Sequence, residues 1–502
     1  MFLTALLVIA LITVLYYYLT WNFEYWKARG VLAPRPKILF GNFIDSTLQK
    51  HHFSDDLTKI YNDYKGRGNF VGIYTARTPR ILVLQPKLLK EILIQNFKNF
   101  HNNDFSEIFN LEKNPIFSRN TFLARDEDWK ERRTEASPAF SSNRMKVLFP
   151  IVLDVCQQLT NYIKENLRQP LESKELGVKF VTEASSNCVF GMQAHSFKTE
   201  ESELAMMSRH LFDLSTLSFV KMFINTLFPI TRSFLKTQFA SPEVSKFFLG
   251  LVDNAKDYRT KNKVTQEDFL DYLMVNQKKK GFSDMDLASS CITFFSDGLE
   301  STSSTVGSTL YELARNPKVQ NKLREEIEGF VVKRGAITFD VINEMPYLDQ
   351  TINECLRINP PFTKTTRECT EDTELEYTKG KTVKIEKGTN IDIAIHTIQH
   401  DPEYYPKPEE FKPERFDPEH GGIKAFKDKG VFMVFGDGPR ICLGMKFALM
   451  LSKAAVVEVI KNFEITVNEK TEPGWTIDPI EFVNRKKGGM WLNFRPLKMF
   501  TI

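Results

Sequence analysis

One cysteine set among glycines at the start of a helical run constrains this chain more than any other feature. From Phe435 to Gly444 the sequence reads Phe-Gly-Asp-Gly-Pro-Arg-Ile-Cys-Leu-Gly, and apolar residues at helical spacing follow from Met445 to Asn462. Cys442 is thereby placed at a helix N-terminus, where free amides and the positive end of the helix dipole favour a thiolate and lower its pKa. Glycines on both sides let the backbone approach the sulfur without a Cβ in the way. A lone cysteine beside glycines is more often a small buried hydrophobe. Here Phe435, Gly438, Arg440, Cys442 and Gly444 hold set spacings, and the pattern reads as a thiolate ligand for a metal.

The rest of the chain supplies a large body around that loop. Its 502 residues allow one large enzyme fold or two to three average domains, and 42 % hydrophobic with 26 % charged residues suits a folded core. A net charge of +4 from 67 basic and 63 acidic residues gives no nucleic-acid-binding surface, so no nucleic acid is expected as a partner. The six cysteines are scattered and form no C-x-x-C pair, which fits a reducing, cytosol-facing compartment.

Met1 to Phe23 carries no charged side chain and is long enough to cross a bilayer as a helix. It lacks the basic start, short apolar core and small-residue site of a cleaved signal, so it reads as an anchor; a buried soluble helix is the other use of such a run. Lys27, Arg29, Arg35 and Lys37 follow at once and place the downstream chain on the cytosolic side. The prolines of Pro34-Arg35-Pro36 then make a stiff hinge. The expected organisation is an anchor over 1–23, a hinge over 24–40 and one continuous catalytic domain over 41–502, without repeats or Gly/Ser linkers.

Within that domain helices dominate, with small sheets. Helical spacing covers Val152 to Leu167, the run before Lys256, and Lys446 to Asn462; strand-like segments are Val71–Tyr74, Ile81–Val83, and those around Val383, Ile385 and Ile391–Ile395. A capping box at Ser283 and Asp286 opens a helix of about 30 residues, roughly 45 Å, that runs to Arg315. Its centre, Ser296 to Thr305, is polar and rich in helix-weakening residues, which suggests that something other than packing selected them.

With its spacing Phe-x-x-Gly-x-Arg-x-Cys-x-Gly, the cysteine loop resembles the haem-binding loop of the cytochrome P450 family. The resemblance implies a mainly α fold with small β-sheets behind one transmembrane helix, haem b as cofactor, Cys442 as axial iron ligand, Phe435 shielding the sulfur and Arg440 at a haem propionate. A thiolate ligand pushes electron density onto haem iron and favours cleavage of the dioxygen bond. Further matches lie in the family's order along essentially the whole chain. Glu354 and Arg357, three apart on one helical face, and Arg415 in Pro-Glu-Arg-Phe resemble the family's buried structural network. Trp129 and Arg133 in Trp-x-x-x-Arg resemble a propionate site, as does Arg367. The stretch from His400-Asp401-Pro402 to Phe416 looks most like insect microsomal members that handle lipophilic foreign compounds.

The long helix departs from the family pattern Ala/Gly-Gly-x-Asp/Glu-Thr, whose acid and alcohol deliver protons during oxygen activation. Here the run is Asp297-Gly298-Leu299-Glu300-Ser301, so Asp297 stands in for the small residue and Ser301 for threonine, with Thr302 as the alternative hydroxyl. Serine keeps the donor and acceptor but lacks the methyl that restricts its rotamer. Asp297 and Ser301 share a helix face, so a carboxylate there can point to the distal pocket, to solvent or to a neighbouring helix.

No G-x-G-x-x-G unit after a strand and no P-loop occurs, so electrons come from a partner. By resemblance that is the NADPH-dependent cytochrome P450 reductase of the endoplasmic reticulum membrane, with cytochrome b5 as a further candidate. Lys130, Arg132, Lys424, Lys427, Lys429 and Lys446 are candidates for the docking face. Phe105, Phe109, Phe117, Phe122, Phe212, Phe219, Phe294, Phe295 and Phe482 offer material for a pocket taking a lipophilic substrate, and Met222–Phe239 is apolar enough to touch lipid. The reading is a monooxygenase. Two other classes stay open on sequence: a haem-thiolate isomerase or dehydratase acting on peroxides without a reductase, and a non-catalytic haem- or lipophile-binding protein.

Overall fold

Leu, Ile, Val and Ala without a single charge make the first element, a 19-residue helix over Phe2–Thr20 with a mean hydropathy of 2.3. Only Leu19 of this helix is buried. The computed structural model describes residues 1–105, 114–198, 202–211, 216–235 and 240–497. Phe109 and Phe212 lie outside them, as do residues 236–239 at the end of the apolar stretch.

The segment after this helix is docked rather than free. Trp26 is fully buried against strand β1 (Phe70–Thr75), its indole N–H donating to the Ile73 carbonyl at 3.3 Å. A Cβ on Gly72 would lie 2.3 Å from that indole, so glycine is required where the two meet. The hinge expected over 24–40 therefore begins as part of the folded body.

Strand β1 pairs with β2 (Thr78–Val83), and with β4 (Thr365–Glu368) and β7 (Asn390–Ile393) they form a sheet ordered β1-β2-β7-β4. The β2–β7 pair is parallel and the others antiparallel. Strands β5 (Thr373–Thr378) and β6 (Lys381–Ile385) make a hairpin, and β3 (Leu171–Glu172), β9 (Trp491–Pro496) and β8 (Phe463–Val467) a third sheet. The apolar run Ile391–Ile395 is not all strand: it ends at Ile393, and Ile395 opens a short helix.

Helices build the core. Ser142–Glu165 and Leu299–Arg315 pack on Met445–Asn462, and Leu299–Arg315 also lies along Ser173–Phe190. That last crossing is nearly backbone to backbone. A Cβ on Gly177 would lie 2.4 Å from the Ser303 carbonyl oxygen, and one on Gly307 would lie 2.7 Å from the Lys174 backbone. Ser303, Ser304, Ser308 and Thr309 are all buried there, and Ser304 donates to the Asn484 carbonyl at 3.2 Å. Small polar residues thus allow the close approach, so packing accounts for much of the Ser/Thr cluster.

The capping box forms, Ser283 and Asp286 each accepting the other's backbone N–H. The helix it opens is not continuous to Arg315. It stops at Ser296 and resumes at Leu299, with Asp297 and Gly298 between. Both keep right-handed dihedrals, and bonds from Asp297 N to Thr293 O and from Thr302 N to Gly298 O bracket the break. The axis is distorted, not reversed, where glycine lowers helix propensity.

Candidate active site

The cysteine loop is folded by two left-handed glycines. Gly436 and Gly438 have φ of 74° and 69°, and a Cβ on Gly438 would lie 2.0 Å from the Leu93 carbonyl oxygen. Cys442 N donates to the Phe435 carbonyl at 2.7 Å, closing the loop over the helix start. The sulfur accepts from the backbone N–H groups of Gly444 and Met445.

These amides do not produce the low pKa expected from a helix N-terminus. Burial dominates and raises the thiol to about 11, against the opposing pull of the Gly444 and Met445 amides and of Arg133. Cys442 is nevertheless exposed. An exposed sulfur that suffers desolvation faces an enclosed chamber rather than bulk water. In such a place a bound metal ion supplies the missing charge, because a coordinating thiol is deprotonated outright.

Arg133, Arg367 and Arg440 have no carboxylate in salt-bridge reach among the described residues, although Asp126 acts on Arg440 from further off. Arg367 is 5 % exposed, lowered to about 10 by burial, and its Nε has no partner. Arg440 is lowered to about 9 by burial first and then by Arg367, Arg125 and Arg133. It stacks over the buried Trp129 ring at 4.5 Å and donates to the carbonyls of His101, Thr121 and Ala124, bracing the loop before the Asp126–Ala136 helix. Arg133, on that helix, is lowered by burial and feels the Cys442 sulfur. Guanidiniums without a carboxylate in reach, Arg367 buried and Arg133 and Arg440 half-buried, fit a group that carries carboxylates of its own, as haem does with its two propionates. Gly444 agrees: with φ of −82° and a Cβ that would come no closer than 3.9 Å to the Phe140 ring, protein packing alone does not demand a glycine beside the sulfur.

The broken helix carries Asp297, close enough to act on Cys442, and Ser301 one turn further on. Asp297 is exposed, yet burial raises its acid to about 7, so its open face also looks onto enclosed space. The Cys442 sulfur feels its charge. Ser301 is half-buried, whereas Thr302 is 2 % exposed and packed inside. Glu300 does not bond Ser301; its Oε2 accepts from the buried Lys174 Nζ at 2.7 Å, holding the carboxylate toward the Ser173–Phe190 helix.

Beneath the loop, Arg357 Nε and Nη2 meet the Glu354 carboxylate at 2.8 and 2.9 Å, and Arg415 Nε joins at 3.1 Å. Arg357 also donates to the carbonyls of Gln399 and Pro408, so the network ties the Pro346–Ile358 helix to the loop that carries Arg415.

The model of the family described as Cytochrome P450 matches residues 32–493. The chain belongs to the cytochrome P450 family. It is 38 % identical over 499 residues to a protein described as probable cytochrome P450 28d1 from Drosophila melanogaster, covering 98 % of each chain. It is 32 % identical to cytochrome P450 6k1 from Blattella germanica, over 92 % of this chain and 91 % of that one. Cytochrome P450 6A1 from Musca domestica is also 32 % identical, over 96 % of each. The chain is thus an insect-like P450 and an enzyme of the haem-dependent monooxygenase class, with one apolar N-terminal helix that fits a membrane anchor.

Other residues singled out in the sequence fall differently in this P450. Phe117, Phe294 and Phe295 are core residues, Phe294 meeting Phe140 and Phe269 edge to face. Phe105, Phe122 and Phe482 instead form one aromatic cluster, with ring centroids 5.3 and 5.4 Å apart. Phe219 is exposed on the Thr216–Leu227 helix. Three of the basic residues are spent on their own helices: Lys130 pairs with Glu127, Arg132 with Asp128 and Lys424 with Asp428. Lys446 donates to Ser142 Oγ. Asn120, bonded to Asp297, and Lys174, bonded to Glu300, had no signal in the sequence, because each partner lies more than a hundred residues away.

Proposed function

We propose that this chain is a monooxygenase of the endoplasmic reticulum membrane. It inserts one oxygen atom of O2 into a lipophilic small molecule, with NADPH electrons delivered by the flavoprotein reductase or, as a second donor, cytochrome b5. The observation that carries the reading is an exposed yet desolvated Cys442 beside one buried and two half-buried arginines, Arg367, Arg133 and Arg440, that have no carboxylate partner among the described residues. Cys442 would ligate the iron, Arg133, Arg367, Arg440 and Trp129 would hold the propionates, and Phe435, Gly438 and Gly444 would shape the loop around the sulfur. When bound, haem supplies the redox centre at which dioxygen is reduced and activated, and the thiolate's electron donation favours cleavage of the dioxygen bond.

The chain's own residues then govern protons and water. The half-buried Ser301 hydroxyl can hold a water by donating or accepting a hydrogen bond. Glu300 is oriented by Lys174 Nζ at 2.7 Å, so it acts by positioning the turn that bears Ser301. Glu354, Arg357 and Arg415 lock the fold beneath the loop and take no part in chemistry.

Exposed apolar surface supports the membrane placement. Leu19 packs with Ala76 and Leu227, and Tyr18 stacks on Phe228 at 5.4 Å, so the anchor abuts the Thr216–Leu227 helix. On and after that helix Leu217, Phe219, Ile230 and Phe234 are exposed, extending the apolar face of the anchor.

Reconstitution of the full chain with reductase in vesicles, under isotopically labelled dioxygen, tests the reading. A labelled oxygen atom in the product of a lipophilic substrate, with NADPH consumed, is expected. Product from a hydroperoxide without NADPH would instead make the chain an isomerase or dehydratase, and no turnover across a lipophile panel would make it a binding protein.

A further inference from the structure

Asp297 stands where the family pattern has alanine or glycine, and its surroundings are built around its carboxylate. Asn120 Nδ2 donates to both carboxylate oxygens, at 2.9 and 3.1 Å. The Asn120 amide cannot flip, because its Oδ1 already accepts from the backbone N–H groups of Phe122 and Leu123 at 2.9 and 3.0 Å. Asn120 is 3 % exposed, so this orientation is fixed by the fold. Ser296 Oγ adds a longer contact at 3.4 Å.

Hydrogen-bond donors are therefore supplied, but counter-charge is not. No basic side chain acts on Asp297, and none pairs with it among the described residues. An enclosed carboxylate without a counter-ion is costly, and a small apolar residue would avoid that cost. A neutral ligand would offer another hydrogen bond, which Asn120 already provides; a cation would offer what is missing. The loop that fixes the carboxylate also carries Phe122, whose ring lies tilted against Phe105 at 5.3 Å, and Phe105 meets Phe482 and through it Phe362. Phe122, Phe362 and Phe482 are all exposed, and aromatic faces attract cations as well as apolar bodies.

We propose that Asp297, held by Asn120, is a specificity-determining residue that receives the ammonium head of a cationic amine substrate whose apolar body lies on the Phe105–Phe122–Phe482 cluster. This rests on the monooxygenase reading and names a substrate class for the same site.

Equilibrium dialysis of three isosteric probes against the haem-loaded full chain tests it: benzyltrimethylammonium, neopentylbenzene and benzyldimethylcarbinol. The quaternary nitrogen has no lone pair, so direct ligation of iron cannot imitate binding at Asp297. Asp297→Asn should weaken the ammonium probe by about tenfold and leave neopentylbenzene within about twofold. Asp297→Ala, which installs the family's small residue, should act in the same direction and serves if the asparagine variant loads haem poorly. Equal changes for the ammonium and its carbon isostere, no change for either, or a loss confined to the carbinol would overturn the proposal. The carbon monoxide spectrum of the same reduced samples separates the two readings. A thiolate-type spectrum with unchanged ammonium binding sinks only the assignment of Asp297, whereas its absence from the unmodified chain sinks the haem reading and this proposal with it.

Discussion

Glu354 and Arg357 meet through two parallel hydrogen bonds, Nε to Oε2 at 2.8 Å and Nη2 to Oε1 at 2.9 Å, and neither side chain is exposed at all. Removing Glu354 leaves the Arg357 charge buried and unpaired, and removing Arg357 leaves the buried Glu354 with Arg415 as its one remaining cation, at a cost of up to about 3 to 5 kcal/mol. Glu354→Ala and Arg357→Ala should each yield little haem-loaded protein and a lower unfolding temperature. Haem content per chain and thermal unfolding check this, and near-normal values for either variant would contradict a structural role.

Ser301 supplies the one half-exposed hydroxyl of the Ser301–Thr302 pair. Ser301→Ala should raise hydrogen peroxide release relative to product, while Thr302→Ala should change that ratio far less. Ser301→Thr, which restores the rotamer-restricting methyl, should hold or improve coupling. Peroxide and product measured per NADPH consumed decide the matter.

Burial raises Asp297 from the ordinary carboxylate range to about 7. An acid raised in the folded state holds its proton more tightly there than in the unfolded chain. Its contribution to stability is therefore fully present below the unfolded pKa, about 4, and is lost as pH rises through about 7. Asp297→Asn removes this dependence. The unfolding temperature of the variant should gain on that of the unmodified chain between these two pH values and then run parallel to it; a constant difference would show that the acid is not perturbed.

How much of this was legible in the sequence depends on how local each cause is. The cysteine loop, the Ser283–Asp286 capping box and the Glu354–Arg357 pair are set by residues within a few positions of each other, and the structure places them together. The break at Asp297–Gly298 was hidden because the flanking runs keep helical spacing on both sides of it. The raised Cys442 thiol was missed because helix-end amides are readable from sequence and the burial that outweighs them is not. The Glu300–Lys174 pair and the glycine-mediated crossing at Gly177 and Gly307 arise only when distant helices meet.

Two glycines of the loop should behave differently. Gly438 has φ of 69° and a Cβ there would collide with the Leu93 carbonyl, so Gly438→Ala should lower both stability and haem content. Gly444→Ala meets no protein atom closer than 3.9 Å, so it should lower haem affinity while leaving the haem-free chain as stable as before. Haem titration beside thermal unfolding of the haem-free protein tells the two apart.

The central claim is that the sulfur of Cys442 ligates haem iron. Its most direct test is the absorption spectrum of the reduced, carbon monoxide-treated protein beside Cys442→Ala and Cys442→Ser. The unmodified chain should show the far-shifted Soret band of a thiolate-carbonyl complex, and both variants should lose it. Retention of that band by Cys442→Ala would contradict the account.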